Sequence, residues 1–185
     1  YELGVPIYCS ALAHSSIGMN LLIPWLFNNP VPLDPVLDIL ETAAIVWASQ
    51  LNGAVEVGGG HPKNFYMQTQ PTLWQILHDD QGGHDFFIQL TTDSPHWGGL
   101  SGATPAEAYS WGKVSDPELN NTVVYSCASI TLPLLAMYML HQVSPRSPKR
   151  ILDKKDAWTS DLKKHSQNND KVRADWNSPE HKKVR

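Results

Sequence analysis

The sequence predicts an α/β fold with a mostly parallel sheet covered by helices on both faces. Two observations support this class. Strand-like and helix-like segments alternate along the chain, and the strand-like segments are apolar throughout. Strands of a parallel sheet are buried on both faces and therefore show such continuous apolar runs. This arrangement is Rossmann-like, and its predicted strands cover residues 5–9, 54–57, 85–92 and 123–126.

The first long helix has the clearest predicted boundaries. Asp34 is a good N-cap, and Pro35 suits the first helical position, where no backbone N–H is needed. Apolar residues then recur at spacings of three and four as far as Leu51, so one helix face should be buried. Gly53 should end the helix.

Three more helices are predicted after the strands. Pro71 interrupts the helical pattern of residues 61–78 and predicts a kink there. Thr104 and Glu107 form a capping box at the start of a short helix. Residues 130–143 form an apolar helix that contains a proline.

Charge is distributed unevenly along the chain. Residues 1–145 hold 12 acidic side chains and two basic ones, Lys63 and Lys113, for a formal charge of −10. Residues 146–185 hold six acidic and 12 basic side chains, for a formal charge of +6. An acidic body disfavours nucleic acid as a partner and favours a cationic one. The basic segment reads as a linker and a disordered or weakly helical tail, with contact to RNA or an acidic surface as the alternative.

Several protein classes lack support in the sequence. No apolar run approaches the roughly 18 residues of a membrane-spanning helix. Two cysteines, Cys9 and Cys127, are too few for a disulfide scaffold or a structural zinc site. No signal-peptide pattern opens the chain, so a cytoplasmic location is expected. The histidines lack helical i, i+4 pairing and there is no Gly-x-Ser-x-Gly elbow, so neither a metal site nor a serine hydrolase is expected.

Both basic side chains of the acidic body lie beside glycine-rich loops that follow predicted strands. Open α/β sheets bind ligands at the carboxyl ends of their strands. The first loop is GGGHPK at residues 58–63. Its glycines let the backbone approach a ligand closely, and the helix that follows offers N–H groups to a phosphate. A tight strand-to-helix turn without a ligand is the alternative.

The second loop ends at Lys113, directly after Trp111 and Gly112. Beside an indole and a glycine, the lysine amine is expected to be partly desolvated, which lowers its pKa and favours the nucleophilic free amine. Such an amine forms imines, and Glu107 is placed to hold a substrate ammonium group. The alternative is that Lys113 only caps the C-terminus of the short helix.

Four segments together resemble deoxyhypusine synthase, especially its bacterial and archaeal-type homologues. They occur in the family's order, cover roughly residues 4–143, and correspond to the C-terminal half or less of a full-length member. The segments are PIYCSALAHSSIGMN at residues 6–20, GGGHPKNF at 58–65, TTDSPHWGGLSGATPAEAYSWGKV at 91–114 and VVYSCASITLPLL at 123–135. The resemblance implies that residues 1–145 are the C-terminal portion of an NAD-binding catalytic domain, followed by a basic tail at residues 146–185.

The resemblance implies an NAD-dependent aminobutyl transfer. The aminobutyl group of spermidine passes through an imine on an enzyme lysine to an acceptor amine, which in this family is a lysine of the hypusine-bearing translation factor. A homospermidine-type synthase with a free diamine acceptor and a non-catalytic regulatory paralogue are the alternatives. The resemblance also implies a homotetramer, and an isolated fragment without its missing half is expected to be inactive.

Residue by residue, the resemblance places Lys113 at the catalytic position. It assigns three residues to substrate binding, namely Glu107, Trp111 and Asn64. It assigns seven residues to cofactor binding, namely Gly59, Thr92, Asp93, Ser101, Ala128, His14 and Cys127. His14 and Cys127 stand where the family usually has aspartates, and loss of a ribose-binding carboxylate is expected to weaken NAD binding.

Overall fold

The structure is a computed structural model, and it describes residues 1–116, 118 and 120–179. Within these residues the centre of the fold is a three-stranded parallel sheet in the order β1–β2–β3. Strand β1 is Gly53–Val57, β2 is Phe86–Thr91 and β3 is Asn121–Tyr125. The predicted α/β class with a parallel sheet is confirmed.

Helices precede, connect and follow the strands. Two short helices and a long one come before β1, three segments connect β1 to β2, and a short helix lies between β2 and β3. In chain order the α-helices are α1 (Ser16–Asn20), α2 (Leu22–Leu26), α3 (Pro35–Trp47), α4 (His61–Met67), α5 (Thr69–Pro71), α6 (Pro105–Ser110), α7 (Ala128–Gln142), α8 (Lys155–Asn168) and α9 (Asp170–Asn177). A π-helical turn, Thr72–Ile76, continues directly from α5, which ends at the proline predicted to disturb this helix.

The two faces of the sheet are covered to different extents. On one face Phe87 packs with Met67 of α4 and with Val114, and all three are buried. On the other face the side chains of Val55 and Val57 are 59% and 53% exposed. Helix α7 contacts β2. The face under α4 is therefore the better packed of the two.

A second core lies between α3, the π-helical turn and α8. Its buried side chains are Ala43, Ala44, Val46, Leu73 and Leu162. The predicted start of α3 is confirmed, since the Asp34 carboxylate accepts the N–H groups of residues 36 and 37 at 2.9 and 3.1 Å. The helix ends at Trp47 rather than at Gly53, and the intervening Leu51 is 64% exposed.

The predicted strand at residues 5–9 is wrong. This segment has no strand partner in the described chain, and Ile7 is 85% exposed. Side-chain contacts hold it instead: the Tyr8 hydroxyl donates to the Glu41 carboxylate at 3.1 Å, and the Tyr8 ring contacts Phe65. A strand requires a hydrogen-bonded neighbour along its edge, which an apolar run cannot supply by itself.

Within the described residues, the basic segment forms two helices, α8 and α9, in keeping with the helical one of the two expectations for the tail, disordered or weakly helical. Trp158, Leu162 and Ser166 follow one another at spacings of four, so they share one face of α8. That face packs against α3, where Leu162 is completely buried. An ion pair between Lys155 and Glu41, 2.7 Å long, joins the basic segment to the acidic body. Because the whole segment contains few apolar residues, the sequence did not indicate that α8 has a short apolar face.

Candidate functional site

The loops that follow the three strands meet at one edge of the sheet. Residues 58–60 follow β1, residues 92–93 follow β2 and residues 126–127 follow β3. Because the strands are parallel, their carboxyl ends point the same way. This is the edge where open α/β sheets bind ligands.

The local sequence fixes the backbone of Lys113. Helix α6 begins at the predicted cap, where the Thr104 hydroxyl accepts the Glu107 N–H at 3.2 Å. It is closed by Gly112, whose positive φ of 66° lets the Lys113 N–H donate to the Ala108 carbonyl at 2.9 Å. The Lys113 carbonyl in turn accepts the N–H of His84 at 2.9 Å. The lysine is thus held by hydrogen bonds on both sides of its Cα.

The Lys113 side chain points its amine at a neutral acceptor. Its Nζ donates to Asn64 Oδ1 at 2.9 Å and lies 5.6 Å from the centre of the Trp111 ring. Burial lowers the pKa of Lys113, while the carboxylates of Glu107 and Glu56 oppose that shift. A lowered pKa increases the fraction of nucleophilic free amine at neutral pH.

A cavity of about 290 Å³ lies in front of this amine. The four residues that the sequence assigns to catalysis and substrate binding, Lys113, Glu107, Trp111 and Asn64, all line it. Its wall also includes apolar side chains, among them Met67, Pro71 and Leu100. The cavity holds one carboxylate, that of Glu107, and two lysines, Lys63 and Lys113. With the apolar wall, the carboxylate suits an alkyl chain that carries an ammonium group.

Lys63 organises the wall of this cavity. Its side chain is buried, and its Nζ donates to Gln89 Oε1 at 2.9 Å and to the Ala103 carbonyl at 2.8 Å. The Gln89 amide group donates to the carbonyls of Gly58 and Ser101 at 2.7 and 2.8 Å. Lys63 and Gln89 therefore tie together the loops that follow β1 and β2.

Sequence reasoning missed Gln89. The available signal was a single amide side chain inside the otherwise apolar run FFIQL at residues 86–90. A completely buried glutamine in a parallel strand must satisfy its hydrogen bonds within the protein, so it marks a place where loops are joined.

Three of the predicted cofactor residues are neighbours in the structure. The Ser101 hydroxyl donates to the Asp93 carboxylate, which also accepts the Ser94 N–H at 3.0 Å. These two hydrogen bonds lower the pKa of Asp93, so it is ionised at neutral pH. A Cβ added to Gly59 would lie 2.6 Å from the Ser101 Cα, so glycine is needed for this close approach. Thr92 lies beside Asp93 in the same loop.

The glycine loop leaves space for a ligand. Gly58 and Gly60 have φ angles of +82° and +92°, and a Cβ added to either would meet nothing within 4 Å. Gly59, between these two glycines, lies against Ser101, whose hydroxyl donates to the ionised Asp93, so the open backbone and this carboxylate belong to the same edge of the sheet. Pro62 lacks an N–H, so α4 offers fewer donors to a phosphate than the glycine motif implies.

The remaining predicted cofactor residues lie further apart. His14 lines a different cavity, of about 750 Å³, together with His61 and Asp38. Cys127 and Ala128 begin α7 after β3, and the Cys127 thiol is exposed. Hydrogen bonds from Ser129 and from the Ile130 N–H lower the pKa of that thiol. Neither His14 nor Cys127 supplies the carboxylate usual at its position.

Two global properties bear on the kind of site. In the part of the chain that the structure describes, no helix has both the length and the apolar character needed to cross a membrane. The same residues contain no group of three or more metal-ligating side chains placed to hold a metal ion.

Comparison with known proteins identifies the family of this chain. Residues 1–139 match the family model for deoxyhypusine synthase. A deoxyhypusine synthase-like protein of Nostoc punctiforme is 49% identical over 169 residues, which cover 89% of this chain and 43% of the relative. A probable deoxyhypusine synthase 2 of Methanosarcina acetivorans is 46% identical over 142 residues, which cover 77% of this chain and 40% of the relative. The chain thus spans less than half the length of these relatives. Since the family model covers most of the residues that build the fold and the site around Lys113, the chain belongs to the deoxyhypusine synthase family.

Proposed function

We propose that the complete protein transfers an aminobutyl group from spermidine to an acceptor amine, with Lys113 as the covalent carrier and NAD as the cofactor. The observation that carries this proposal is the Lys113 amine, which is partly desolvated and donates to Asn64 in a cavity that also contains Glu107. Family membership supports the reaction class. Because the chain spans less than half of its relatives, the activity is proposed for the whole protein.

The cavity residues divide the recognition of a polyamine between them. The Glu107 carboxylate binds an ammonium group, and Leu100, Pro71 and Met67 contact the methylene carbons. The Trp111 ring is 56% exposed and lies 5.6 Å from the amine of Lys113, where it can contact the substrate carbon that the amine attacks.

The amine of Lys113 forms and breaks the bonds to the transferred group. NAD, when bound, supplies the chemistry of accepting and returning a hydride. Once the substrate amine is oxidised, the free amine of Lys113 attacks the electrophilic carbon and forms a C–N bond. The C–N bond to the diamine then breaks, the leaving diamine takes the proton that the lysine nitrogen gives up, and an imine between Lys113 and the aminobutyl group remains. The Asn64 carbonyl oxygen orients the amine through its hydrogen bond before the attack.

The residues that would hold the cofactor are those at the glycine loop. Backbone groups of Gly58, Gly59 and Gly60 allow close approach, and the ionised Asp93 is suited to ribose hydroxyl groups. The hydrogen bond from Ser101 fixes the orientation of Asp93.

Chemical trapping tests the role of Lys113. The full-length protein is incubated with NAD and spermidine, reduced with borohydride, digested and analysed by mass spectrometry. We expect an aminobutyl adduct on Lys113 and none in Lys113→Arg. Lys149→Arg, which changes an exposed lysine of the linker, serves as the matched control and should be labelled normally. Labelling that persists in Lys113→Arg would reject the assignment.

The non-catalytic alternative rests on His14 and Cys127, which replace carboxylates expected to contact NAD. If these replacements weaken cofactor binding, His14→Asp and Cys127→Asp should each strengthen it by several-fold, measured by calorimetry with NAD. Unchanged affinity in both variants would remove this argument. A protein that neither binds NAD nor forms the Lys113 adduct would be a non-catalytic paralogue.

The acceptor can be identified in the same assay. After the adduct forms, excess putrescine or the hypusine-bearing translation factor is added in separate reactions, before reduction. Loss of label from Lys113 with the translation factor supports the proposed reaction, whereas loss with putrescine alone supports the homospermidine-type alternative.

A further inference from the structure

His84 is a buried histidine that the proposed reaction does not use. It lies in the loop before β2 and is completely inaccessible to solvent. Its N–H donates to the Lys113 carbonyl at 2.9 Å, and its carbonyl accepts the Ser115 N–H at 3.0 Å. These two hydrogen bonds form a parallel bridge between His84 and Val114. The main chain of His84 therefore lies directly against the segment that carries the Lys113 amine.

The two segments approach each other as closely as a glycine allows. Gly83 has a φ angle of +92°, and a Cβ added to it would lie 2.4 Å from the Val114 carbonyl carbon and 2.6 Å from the Ser115 nitrogen. A real Cβ atom cannot come this close to main-chain atoms, so position 83 requires glycine. Residues 83 and 84 thus form a wall against which the main chain around Lys113 is fixed.

The His84 ring is held on three sides. Its Nδ1–H group donates to Asn52 Oδ1, because that oxygen can only accept. Its Nε2 lies 3.3 Å from Thr69 Oγ1. One face of the ring stacks on Tyr66, with 4.4 Å between the ring centres and 16° between the ring planes. Tyr66 belongs to α4 and Thr69 to α5, so the ring attaches residue 84 to these helices.

These contacts connect the two ends of the hydrogen bond between Lys113 and Asn64. The Lys113 amine donates to Asn64, which lies on α4 two residues before Tyr66. His84 contacts Lys113 through its main chain and α4 through its ring. Tyr66 is itself fixed, since its hydroxyl donates to the Gly53 carbonyl at 3.1 Å. The ring therefore determines how far the Lys113 main chain lies from the helix that carries the acceptor of its amine.

We propose that His84 is a positioning residue for Lys113, whose amine it holds on Asn64 by fixing the Lys113 main chain relative to α4. The inference rests on the proposed function, in which this amine carries the transferred group. Burial lowers the pKa of His84 to about 4, against the Tyr66 carbonyl and the Asp85 carboxylate. The ring is therefore neutral near pH 7, and it acts through its shape, its stacking and its hydrogen bonds.

The pH dependence of Lys113 acetylation tests this role in the resting protein. Full-length protein, without NAD or spermidine, is labelled briefly with acetic anhydride at a series of pH values and analysed by mass spectrometry. His84→Ala keeps both main-chain hydrogen bonds and loses the ring contacts. We expect the Lys113 amine to leave Asn64 and become more hydrated, so the midpoint of its acetylation profile should shift to higher pH. The exposed Lys149 gives the reference profile in the same sample.

Three further variants separate positioning from a general loss of stability. Leu162→Ala removes a buried side chain of the second core and should leave the Lys113 profile unchanged. His84→Asn keeps a donor at the place of Nδ1 and should restore part of the wild-type profile. Asn52→Ala keeps the ring but removes its acceptor, so it should shift the profile in the same direction by less. This last variant decides the question if His84→Ala does not fold.

An unchanged Lys113 midpoint in His84→Ala, or in Asn52→Ala where His84→Ala does not fold, would overturn the proposal. An equal shift in Leu162→Ala would overturn it as well. In the borohydride trapping assay, the adduct on Lys113 should form roughly ten- to hundred-fold more slowly in His84→Ala than in wild type. A wild-type protein that forms no adduct would reject the proposed function, whereas the acetylation shift would still establish that His84 positions Lys113.

Discussion

At the scale of single residues, burial shifts the titratable groups of the site toward their neutral forms. It raises the pKa of Glu56 to about 7 and lowers the pKa of His84 to about 4. It also lowers the pKa of Lys113. An amine that must act as a nucleophile benefits from this environment, whereas a carboxylate without a partner is destabilised by it.

Glu56→Gln should therefore stabilise the chain at high pH. The pKa of Glu56 is higher in the folded chain than the ordinary value of 4.5, so its contribution is fully favourable below pH 4.5 and is lost as the pH rises through 7. Between pH 4 and pH 8, the free energy of unfolding of Glu56→Gln should gain about 3 kcal/mol relative to wild type. Urea unfolding at both pH values measures this, and a difference that does not change with pH would contradict it.

Glu107→Gln should lower the pKa of Lys113 further. The Glu107 carboxylate stabilises the charged lysine, so its removal leaves burial with less opposition. The pKa of Lys113 should therefore fall further below its ordinary value. The pH dependence of Lys113 acetylation, followed by mass spectrometry, gives the value. Glu118→Gln, at an exposed position, is the control, and an unchanged Lys113 profile in Glu107→Gln would contradict the expectation.

At the scale of elements, the sequence predicts the features that depend on residues close by in the chain, such as helix caps. Asp34 caps α3 and Thr104 caps α6 as the sequence predicts, because a cap depends on hydrogen bonds to residues two or three positions away. The strand expected at residues 5–9 failed because pairing depends on a distant partner. For the basic segment the sequence left disorder and weak helicity open, because α8 is stabilised by its contact with α3 rather than by its composition.

Leu162→Ala measures the contribution of that contact. The side chain is completely buried between α8 and α3, so its truncation leaves a cavity. We expect a loss of about 2–5 kcal/mol in the free energy of unfolding, measured with urea. Lys163→Ala changes the exposed neighbour on the same helix and should cost little. Equal effects of the two substitutions would show that α8 does not pack on α3 in solution.

At the scale of the whole molecule, a large apolar surface is left uncovered. None of the side chains of α7 is buried, and Leu134 and Tyr138 on this helix are 66% and 63% exposed. Val55 and Val57 leave one face of the sheet half-exposed as well. Parallel sheets and apolar helices are usually covered on all such faces. This chain spans less than half the length of its relatives, and for the complete protein we propose that α7 takes part in a contact between copies, as the homo-oligomer implied by the family resemblance requires.

Sedimentation velocity tests this contact. Leu134→Glu places a charge in the apolar surface of α7 and should shift the chain toward the monomer. Gln142→Glu adds the same charge at an exposed polar position of the same helix and should leave the distribution unchanged. A wild-type chain that is monomeric at all concentrations would contradict the proposal.

The sequence predicted which residues form the substrate pocket, but not the buried contacts that hold the pocket together. The resemblance placed Lys113, Glu107, Trp111 and Asn64 in one pocket, and the structure brings them to one cavity. It did not identify Gln89, whose importance depends on the carbonyls of Gly58 and Ser101 beside it. Those contacts join residues far apart in sequence, which spacing along the chain cannot encode.

Lys63 lines two cavities, the one in front of Lys113 and another of about 300 Å³ beside β1, and this position has a practical consequence. Its amine sits on fixed acceptors, so a molecule entering from either side alters the electric field at the same nitrogen. Isotopic labelling of this single ammonium group would therefore give one resonance that reports occupancy on both sides. If one ligand in each cavity interacts with the Lys63 ammonium group, binding of the first would change the affinity for the second. This coupling would need no rearrangement of the backbone.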